Sequence, residues 1–251
     1  MRLDAALVKR GLVESRTEAT RLIEAGSVTV AGSFADKGSR MVDSSESINV
    51  LTTKRYVSRG GEKLEHALDH FSLDVRDRSV LDAGVSTGGF TDCLLQRGAR
   101  RVLALDVGRN QLHEKIKRDH RVTWSDGVNV RDLEPGDMAF ACSLIVADLS
   151  FISLTKVLDA FVRCVSVEAE FDVPQMVLLV KPQFEVGRRE VSKGKGVIID
   201  PNLHAEAIDG VADYVLRLGC HVVGTVESPI KGAEGNTEFL MLVNCPTVCV
   251  G

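Results

Sequence analysis

A glycine-rich loop follows an apolar strand at Val80-Leu81-Asp82-Ala83-Gly84-Val85-Ser86-Thr87-Gly88-Gly89-Phe90. A strand that ends in an acidic residue and turns into a helix can hold a nucleoside cofactor against exposed backbone amides. The spacing Asp-x-Gly-x-Ser-x-Gly-Gly differs from the Gly-x-Gly-x-x-Gly of dinucleotide enzymes, because only one glycine stands in the tight turn before the helix. The stretch therefore favours S-adenosylmethionine, with a predicted binding set of Asp82, Gly84, Ser86, Thr87, Gly88, Gly89 and Phe90, of which Phe90 is expected mainly to pack.

Strands and helices alternate from about residue 60 onward, which is typical of a parallel sheet with crossover helices. The pattern predicts strands at 79–83, 101–105, 121–124, 143–147, 175–181, 221–226 and 238–243, and helices near 62–70, 89–97, 152–164 and 202–218. The loop between the last two strands is too short for a crossover helix, so these two strands should pair antiparallel. We predict an α/β fold, with a Rossmann-like, S-adenosylmethionine-dependent methyltransferase domain over residues 59–251.

Two further carboxylates come at the ends of predicted strands. Asp106 ends an apolar run, where a carboxylate can accept hydrogen bonds from a ribose diol. The alternative is that Asp106 caps the next turn. Asp126 ends the following strand and is a candidate for contact with an adenine amino group. Both residues are therefore predicted to help to bind the cofactor.

Two lysines and two acids, Lys63, Asp148, Lys181 and Glu238, stand in separate motifs of this domain. Asp148 and Lys181 each end a predicted strand, so both should lie at the carboxyl edge of the sheet. Methyl transfer to an alcohol needs a base, because an alcohol near pH 7 is a poor nucleophile. The pKa of lysine is about 10.4 in water, so a lysine can be that base only where desolvation or a second cation lowers it. A pocket that holds two lysines and two carboxylates suits this demand, although each residue alone is more often a surface charge.

A small module precedes the larger domain. Residues 3–10 and 15–26 predict two short helices, and residues 28–30 and 48–50 predict short strands of a small sheet. The polar faces of the helices carry arginines that can contact a phosphate backbone, and the alternative is that these faces are only solvated; the arginines are Arg2, Arg10, Arg16 and Arg21. We predict a small α/β RNA-binding domain with its linker over residues 1–58.

Composition and charge set limits on function. The chain has 251 residues, of which 44% are hydrophobic and 26% charged, and its net charge is −4. Residues 1–58 carry nine Lys and Arg against seven Asp and Glu, so the basic excess lies in the first module. We find no apolar run of about 18 residues and no signal-peptide core, which indicates a cytoplasmic protein without a membrane partner. The six cysteines lack metal-ligand spacing, so we expect no metal site and mostly buried thiols.

The first module resembles a known RNA-binding family. Residues 15–32 read Ser-Arg-Thr-Glu-Ala-Thr-Arg-Leu-Ile-Glu-Ala-Gly-Ser-Val-Thr-Val-Ala-Gly. This run is similar to the core of the S-four-type, or alpha-L, RNA-binding domain of a ribosomal protein. The resemblance implies that the module binds RNA.

The whole chain resembles the TlyA family, also called haemolysin A. The likeness rests on the glycine loop and on the runs Arg59-Gly60-Gly61-Glu62-Lys63-Leu64, Ala147-Asp148-Leu149-Ser150-Phe151-Ile152-Ser153-Leu154, Val180-Lys181-Pro182-Gln183-Phe184-Glu185 and Gly235-Asn236-Thr237-Glu238-Phe239-Leu240. Members of this family are ribosomal RNA 2′-O-methyltransferases with an FtsJ-like catalytic domain. The resemblance implies ribosomal RNA or a ribosomal subunit as partner, and Lys63, Asp148, Lys181 and Glu238 as a catalytic tetrad with Lys181 as the base. Glu227 and Glu234 compete with Glu238 for the last place.

Other functions stay open beside this reading. The haemolysin label suggests a membrane-active protein, which needs a spanning helix or an amphipathic segment that the sequence does not show. A non-catalytic RNA-binding protein is a second alternative, and a nicotinamide oxidoreductase is a third, disfavoured by the missing turn glycine.

The resemblance also implies a substrate range. Longer members of the family methylate a cytidine in the RNA of each ribosomal subunit, and shorter ones only the cytidine of the large subunit. This chain begins its first helix at Arg2-Leu3-Asp4 and ends soon after the strand that follows Glu238. We therefore expect methylation of 23S RNA and none of 16S RNA.

Overall fold

The computed structural model describes residues 1–24, 26–51, 55–167, 171, 173–187 and 196–246. The chain forms two compact units, Met1–Arg55 and Tyr56–Gly251. The boundary predicted after residue 58 lies inside the second unit. Tyr56 is buried in the core of that unit, and the backbone N–H of Val57 donates a 2.9 Å hydrogen bond to the carboxylate of Asp92. The second unit therefore begins before the glycines that open its first helix.

Two helices and a three-stranded antiparallel sheet make up the first unit. The helices are α1 (Leu3–Lys9) and α2 (Arg16–Glu24), and the strands are β1 (Val28–Val30), β2 (Ser33–Phe34) and β3 (Ile48–Val50), in the order β2-β1-β3. Apolar residues of the helices and of β1 are buried together, among them Leu3, Leu7, Ile23 and Val28. The sequence did not predict β2, because its two residues are exposed and show no apolar pattern.

A seven-stranded sheet forms the centre of the second unit. Its strands are β4 (Ser79–Ala83), β5 (Arg101–Asp106), β6 (Val122–Asp126), β7 (Leu144–Ala147), β8 (Gln175–Val180), β9 (His221–Glu227) and β10 (Phe239–Asn244). The sheet order is β6-β5-β4-β7-β8-β10-β9. The first five strands run parallel, and β10 pairs antiparallel with both β8 and β9. All seven predicted strands are present, and the prediction of an antiparallel final pair is confirmed.

Helices cover both faces of this sheet. Within the described residues they are α3 (Gly60–His70), α4 (Gly89–Gln96), α5 (Glu114–Lys117), α6 (Leu158–Cys164), α7 (Pro182–Glu185) and α8 (Pro201–Arg217). Alternate residues of the parallel strands point to opposite faces, so that Leu81 lies in one core cluster with Phe161 of α6, and Val80 lies in the other with Leu64 of α3. In the described ranges, no helix is long and apolar enough to cross a membrane.

The helix predicted over residues 152–164 is divided in the structure. A short 3-10 turn covers Leu154–Lys156, and α6 begins only at Leu158. The side chain of Ser153 caps the turn by accepting a hydrogen bond from the backbone N–H of Thr155. Val157 then has a φ of −122°, which interrupts the helical path. The sequence pattern could not show this break, because the apolar spacing continues through it.

Strand ends place the polar loops at one edge of the sheet. The loops after β4, β5, β7 and β8 leave from the carboxyl ends of parallel strands, which is where ligands bind in such folds. The antiparallel strand β10 starts at the same edge, because Phe239 is paired with Val180 at the end of β8. Glu238 and Lys181 are therefore brought to the same edge from distant parts of the chain.

Candidate active site

The four predicted catalytic residues line one cavity at this edge, which we call the lysine cavity. Its volume is about 410 Å³. The wall includes Lys63 of α3, Asp148 after β7, Lys181 after β8 and Glu238 before β10. The structure thus brings together four residues that are scattered along the sequence. The loop after β4 supplies another part of the same wall, with Gly84, Ser86, Thr87, Gly89 and Phe90.

The four charged side chains form two ion pairs. Lys181 Nζ lies 2.7 Å from Asp148 Oδ1, and Lys63 Nζ donates a hydrogen bond to Glu238 Oε2. The Lys63 and Glu238 side chains are 10% and 4% exposed, and those of Lys181 and Asp148 are 9% and 24% exposed. Asp148 is therefore the most solvent-exposed of the four side chains, whereas both members of the Lys63–Glu238 pair are shielded from solvent.

Glu238 is distinguished from the two competing glutamates by its surroundings. Glu227 is exposed at the end of β9. Glu234 also lines the lysine cavity, but its residue is exposed. Glu238 is buried, and a Cβ atom at Gly232 would collide with its Oε1. The glycine at 232 therefore leaves the room that the buried carboxylate needs.

Lys181 has a second polar partner, Ser150. Its Nζ donates a 2.9 Å hydrogen bond to Ser150 Oγ. Our sequence reasoning did not single out Ser150 as a site residue. The available signal was its position two residues after a strand-end aspartate, which places it in the loop at the carboxyl edge. Serine at that position is common in ordinary turns, so the sequence alone could not show the contact.

The glycine loop has the geometry of a close backbone approach. Gly84 has a φ of 84°, and a Cβ there would lie 2.6 Å from the carbonyl oxygen of Asp148. Gly88 caps α4 with a φ of 97°, and a Cβ there would lie 3.0 Å from side-chain atoms of Leu112 and Ile116. Only glycine satisfies both positions without strain. Gly88 faces this packing and is not among the residues that line the lysine cavity, so its predicted part in cofactor binding stays a prediction.

Asp82, predicted as part of the cofactor-binding set, is not among the residues that line the lysine cavity. It is fully buried, and Thr91 Oγ1 donates a 2.6 Å hydrogen bond to its Oδ2. Burial raises the pKa of Asp82 to about 7, against the lowering effect of the Thr91 hydrogen bond, and the negative charge of Asp148 adds to the rise. Asp82 therefore joins the end of β4 to the start of α4 and supports the loop between them.

Asp106 lines a second cavity beside the first, which we call the Asp106 cavity. Its volume is about 610 Å³, and Gly84, Ser86 and Asp148 belong to both walls. The Asp106 carboxylate accepts 2.7 Å hydrogen bonds from the backbone N–H groups of Ser86 and Gly108. It caps the next turn, as the alternative held, and it also faces the cavity.

Asp126 does not reach either described cavity wall. Its Oδ2 accepts a 2.7 Å hydrogen bond from the backbone N–H of Asn110, so the carboxylate fixes the loop after β5. The wall of the Asp106 cavity includes residues a little further along the chain, namely Val128, Asn129 and Val130. The contact between Asp126 and an adenine amino group stays a prediction.

An aromatic pair stands at the lysine cavity. Phe151 is 92% exposed and has a φ of 66°, which is unusual for a residue with a Cβ. Its ring centroid lies 5.4 Å from that of Phe184 in α7. Both residues line the lysine cavity, although neither was predicted as a site residue. The sequence signal for them was weak, because a phenylalanine is usually a core residue.

The loop that carries Phe151 is held at its far end by Glu185. Glu185 Oε1 accepts a 2.9 Å hydrogen bond from the N–H of Leu154, and Oε2 accepts a 2.6 Å bond from Ser153 Oγ. Burial raises the pKa of Glu185, while these two hydrogen bonds oppose the rise. Since α7 follows Lys181 directly, the loop after β7 is fixed to the segment that begins with this lysine.

The four predicted RNA-binding arginines lie in the first unit with different contacts. Arg2 and Arg16 each place an Nη2 atom 2.9 Å from Asp4 Oδ2, and these two arginines hold the pKa of Asp4 well below its ordinary value. Their side chains are still about half exposed or more. Arg10 donates to the carbonyl oxygens of Glu46 and Asp43, so part of its guanidinium serves the fold. Arg21 is exposed on α2.

Comparison with known families gives this fold and site their class. The model of the FtsJ-like methyltransferase family matches residues 56–245, and the S4 domain model matches residues 1–48. The second unit is therefore an FtsJ-like methyltransferase domain. The first unit corresponds to the S4 domain.

Three relatives extend the comparison, two of them to nearly the whole chain. The 16S/23S rRNA (cytidine-2′-O)-methyltransferase TlyA of Mycobacterium tuberculosis is 45% identical over 98% of this chain and 90% of its own. The 23S rRNA (cytidine-2′-O)-methyltransferase TlyA of Campylobacter jejuni is 33% identical over 75% of this chain and 71% of its own. A solved structure from Streptococcus thermophilus with a haemolysin name is 39% identical, covers 100% of this chain and 91% of its own, and has a TM-score of 0.76. The chain belongs to the TlyA family of FtsJ-like methyltransferases.

Proposed function

We propose that this protein methylates the 2′-hydroxyl of a cytidine in large-subunit (23S) ribosomal RNA, with S-adenosylmethionine as the methyl donor. The observation that carries the proposal is the pair of ion pairs in the lysine cavity, Lys181 with Asp148 and Lys63 with Glu238. A hydroxyl acceptor needs a base, and these contacts supply a lysine that is held in place by an acid.

The Asp106 cavity suits the nucleoside part of the cofactor. Gly84 lets the loop after β4 pack closely against the backbone of Asp148, and both residues belong to the wall that the two cavities share. Asp106 faces the cavity with a carboxylate that can accept from a ribose diol, and Asn129 adds a polar side chain to the wall. Bound S-adenosylmethionine would supply the methyl group.

Lys181 is the residue we assign as the base. Its Nζ takes the proton of the 2′-hydroxyl while the hydroxyl oxygen accepts the methyl group. Asp148, 2.7 Å away, holds Nζ at the cavity and compensates the positive charge that the proton brings. Lys63 and Glu238 line the same cavity, and we assign Lys63 the task of placing a positive charge near the reacting oxygen.

Phe151 and Phe184 give the cavity an apolar entrance of the kind on which a base can stack. Proteins that recognise single-stranded RNA stack its splayed-out bases on aromatic side chains. Aromatic side chains accept any base on their faces, and stacking contributes about 1–3 kcal/mol per base. The exposed ring of Phe151 is thus a suitable first contact for the target cytidine.

The first unit is proposed to bind the RNA. Arg2 and Arg16 share Asp4, which fixes two exposed guanidinium groups side by side for contact with phosphates. Ribosomes or their subunits are the partner that this assignment requires, and we place the protein in the cytoplasm with them. We assign Arg10 a smaller share, because two of its nitrogens already donate to backbone carbonyls.

The choice of large-subunit RNA follows from the names of the relatives. The Mycobacterium tuberculosis relative is named for 16S and 23S RNA, and the Campylobacter jejuni relative for 23S RNA alone. The 23S target is common to both names, so it is the part of the substrate range that we propose. Methylation of 16S RNA is the alternative outcome.

The test uses ribosomal subunits from a strain that lacks the gene. The purified protein is incubated with labelled S-adenosylmethionine and each subunit in turn, and the extracted RNA is digested and analysed by mass spectrometry. We expect 2′-O-methylcytidine in the large-subunit RNA and none in the small-subunit RNA. A methyl group on a base instead of a ribose would contradict the proposed acceptor, and a labelled small subunit would contradict the proposed range.

A further inference from the structure

We infer that Ser150 is a positioning residue for the proposed base, because its hydroxyl fixes the direction in which Lys181 Nζ presents its lone pair. The inference rests on the proposed function, since it gives Ser150 a task only if Lys181 accepts the proton. Ser150 lies in the loop after β7 and lines both the lysine cavity and the Asp106 cavity. It therefore stands where the methyl donor and the acceptor hydroxyl meet.

The geometry around Nζ is that of a three-way arrangement. Nζ is 2.7 Å from Asp148 Oδ1 and donates a 2.9 Å hydrogen bond to Ser150 Oγ. A neutral lysine amine has two N–H bonds and one lone pair around a tetrahedral nitrogen. When Asp148 and Ser150 accept the two N–H bonds, the lone pair takes the remaining direction. Two acceptors thus set the orientation that a single acceptor would leave free to rotate.

Ser150 is itself held in a fixed place relative to Lys181. At the start of the loop, the N–H of Asp148 donates a 3.1 Å hydrogen bond to the carbonyl oxygen of Ala83 in β4. At its end, Ser153 and Leu154 donate to Glu185, which follows Lys181 by one short helix. One end of the loop is therefore fixed to β4 and the other to the segment that begins with Lys181. The position of Ser150 between these two ends is fixed as a result.

The serine contact differs in kind from the contact with Asp148. A carboxylate accepts hydrogen bonds and also stabilises positive charge, whereas a hydroxyl mainly sets direction. Loss of Ser150 should therefore leave the ion pair and the binding of both substrates intact while lowering the rate of the chemical step. A misdirected lone pair slows proton transfer by about ten- to a hundredfold, which is the usual cost of a displaced reacting group.

Threonine and valine give a matched pair of variants at this position. Ser150→Thr keeps the hydroxyl, and Ser150→Val has nearly the same shape without it. The full-length variants are compared with wild type and with Ser150→Ala for the single-turnover rate on large-subunit RNA, the KM for S-adenosylmethionine and the affinity for S-adenosylhomocysteine. We expect Ser150→Thr to stay within about threefold of wild type and Ser150→Val and Ser150→Ala to lose about ten- to a hundredfold in rate. KM and affinity should change by less than about twofold.

Lys181→Ala separates this inference from the proposed function. If Lys181→Ala is inactive and Ser150→Val is as fast as Ser150→Thr, the role of Ser150 is refuted and the base stands. Equal losses in all three serine variants also refute it, because the hydroxyl would then make no difference. If Lys181→Ala is as active as wild type, both assignments fail, since Ser150 has no base to orient.

Discussion

Lys181 Nζ lies 2.7 Å from Asp148 Oδ1, and the two residues come from the carboxyl ends of the neighbouring parallel strands β8 and β7. The sheet therefore fixes the contact through main-chain pairing and not through a flexible loop alone. Both side chains reach the same cavity, which is where the acceptor hydroxyl is proposed to enter. The proposed proton transfer to Lys181 depends on this pair more than on any other contact.

Replacing Lys181 by alanine should abolish methyl transfer, with a loss of at least about a hundredfold, because proton transfer has lost its base. The affinity for S-adenosylmethionine should stay within a few-fold, since the lysine acts on the acceptor. Single-turnover assays and calorimetry measure the two quantities. Lys156→Ala is the matched control, because Lys156 is an exposed lysine in the turn before α6. Turnover near the wild-type level in Lys181→Ala would exclude this lysine as the base.

The Lys63–Glu238 pair should matter for both stability and activity. Lys63→Met leaves the buried Glu238 carboxylate without its partner, which costs about 3–5 kcal/mol in the free energy of unfolding. The double variant Lys63→Met with Glu238→Gln should recover much of that stability, because no buried charge is then unpaired. Its methyl transfer should remain severely reduced. Urea unfolding and activity assays on the same samples decide the point, and recovery of activity together with stability would make the pair purely structural.

Asp82 should make the stability of the protein depend on pH in an uncommon direction. Burial raises its pKa to about 7 in the folded state, so the folded protein keeps a proton that the unfolded chain has lost above pH 4 or so. The stability that comes from neutral Asp82 is therefore complete at low pH and is lost as the pH rises through 7. Asp82→Asn cannot titrate and should lack this loss.

Unfolding free energies of wild type and Asp82→Asn, measured from pH 5 to pH 8, test this effect. We expect the wild-type value to fall relative to that of the variant as the pH rises. Parallel curves would show that Asp82 is already ionised in the folded protein at pH 5. Asp92→Asn is unsuitable as a control because Asp92 is paired with Lys115, and Asp213→Asn, at an exposed position of α8, serves instead.

The main sheet could be predicted from the sequence because its strands are short apolar runs between turn residues. The runs around Leu81, Leu103 and Ile145 all appear as buried strands. The placement of β10 between β8 and β9 was not predicted, because pairing between distant strands leaves no local pattern. The short elements β2 and α7 were also missed, because they have too few apolar residues to show a periodic pattern.

The site was predictable where a charged residue follows a strand and less so elsewhere. Asp148 and Lys181 could be placed at one edge because parallel strands share it. Ser150 and Phe151 belong to the loop after β7. Their contacts with Lys181 and Phe184 bring together distant parts of the chain. Asp82 and Asp126 were predicted to help to bind the cofactor because both come at strand ends. In the structure the Asp82 carboxylate accepts a hydrogen bond from Thr91 and that of Asp126 from the backbone of Asn110, contacts that no local sequence pattern indicates.

A fragment that begins at Tyr56 should fold and bind S-adenosylmethionine but lose most of its activity on ribosomal RNA, because the first unit is proposed to supply phosphate contacts. A fragment that begins at residue 59 should be less stable. It lacks the buried Tyr56 side chain and the hydrogen bond from Val57 to Asp92. Thermal unfolding compares the two fragments, and methylation assays compare the first with the full chain. Full activity on RNA of the fragment that begins at Tyr56 would show that the first unit is not needed for substrate binding.

We propose that a ribose hydroxyl of cytidine in large-subunit RNA is methylated in the lysine cavity. Mass mapping of both ribosomal RNAs, after reaction with wild type and with Lys181→Ala, tests this proposal most directly. The subunits come from a strain without the gene. We expect one 2′-O-methylcytidine in the 23S RNA with wild type, none in the 16S RNA, and none in either RNA with Lys181→Ala. An unmodified 23S RNA with wild type, or the same modified cytidine with Lys181→Ala, would contradict it.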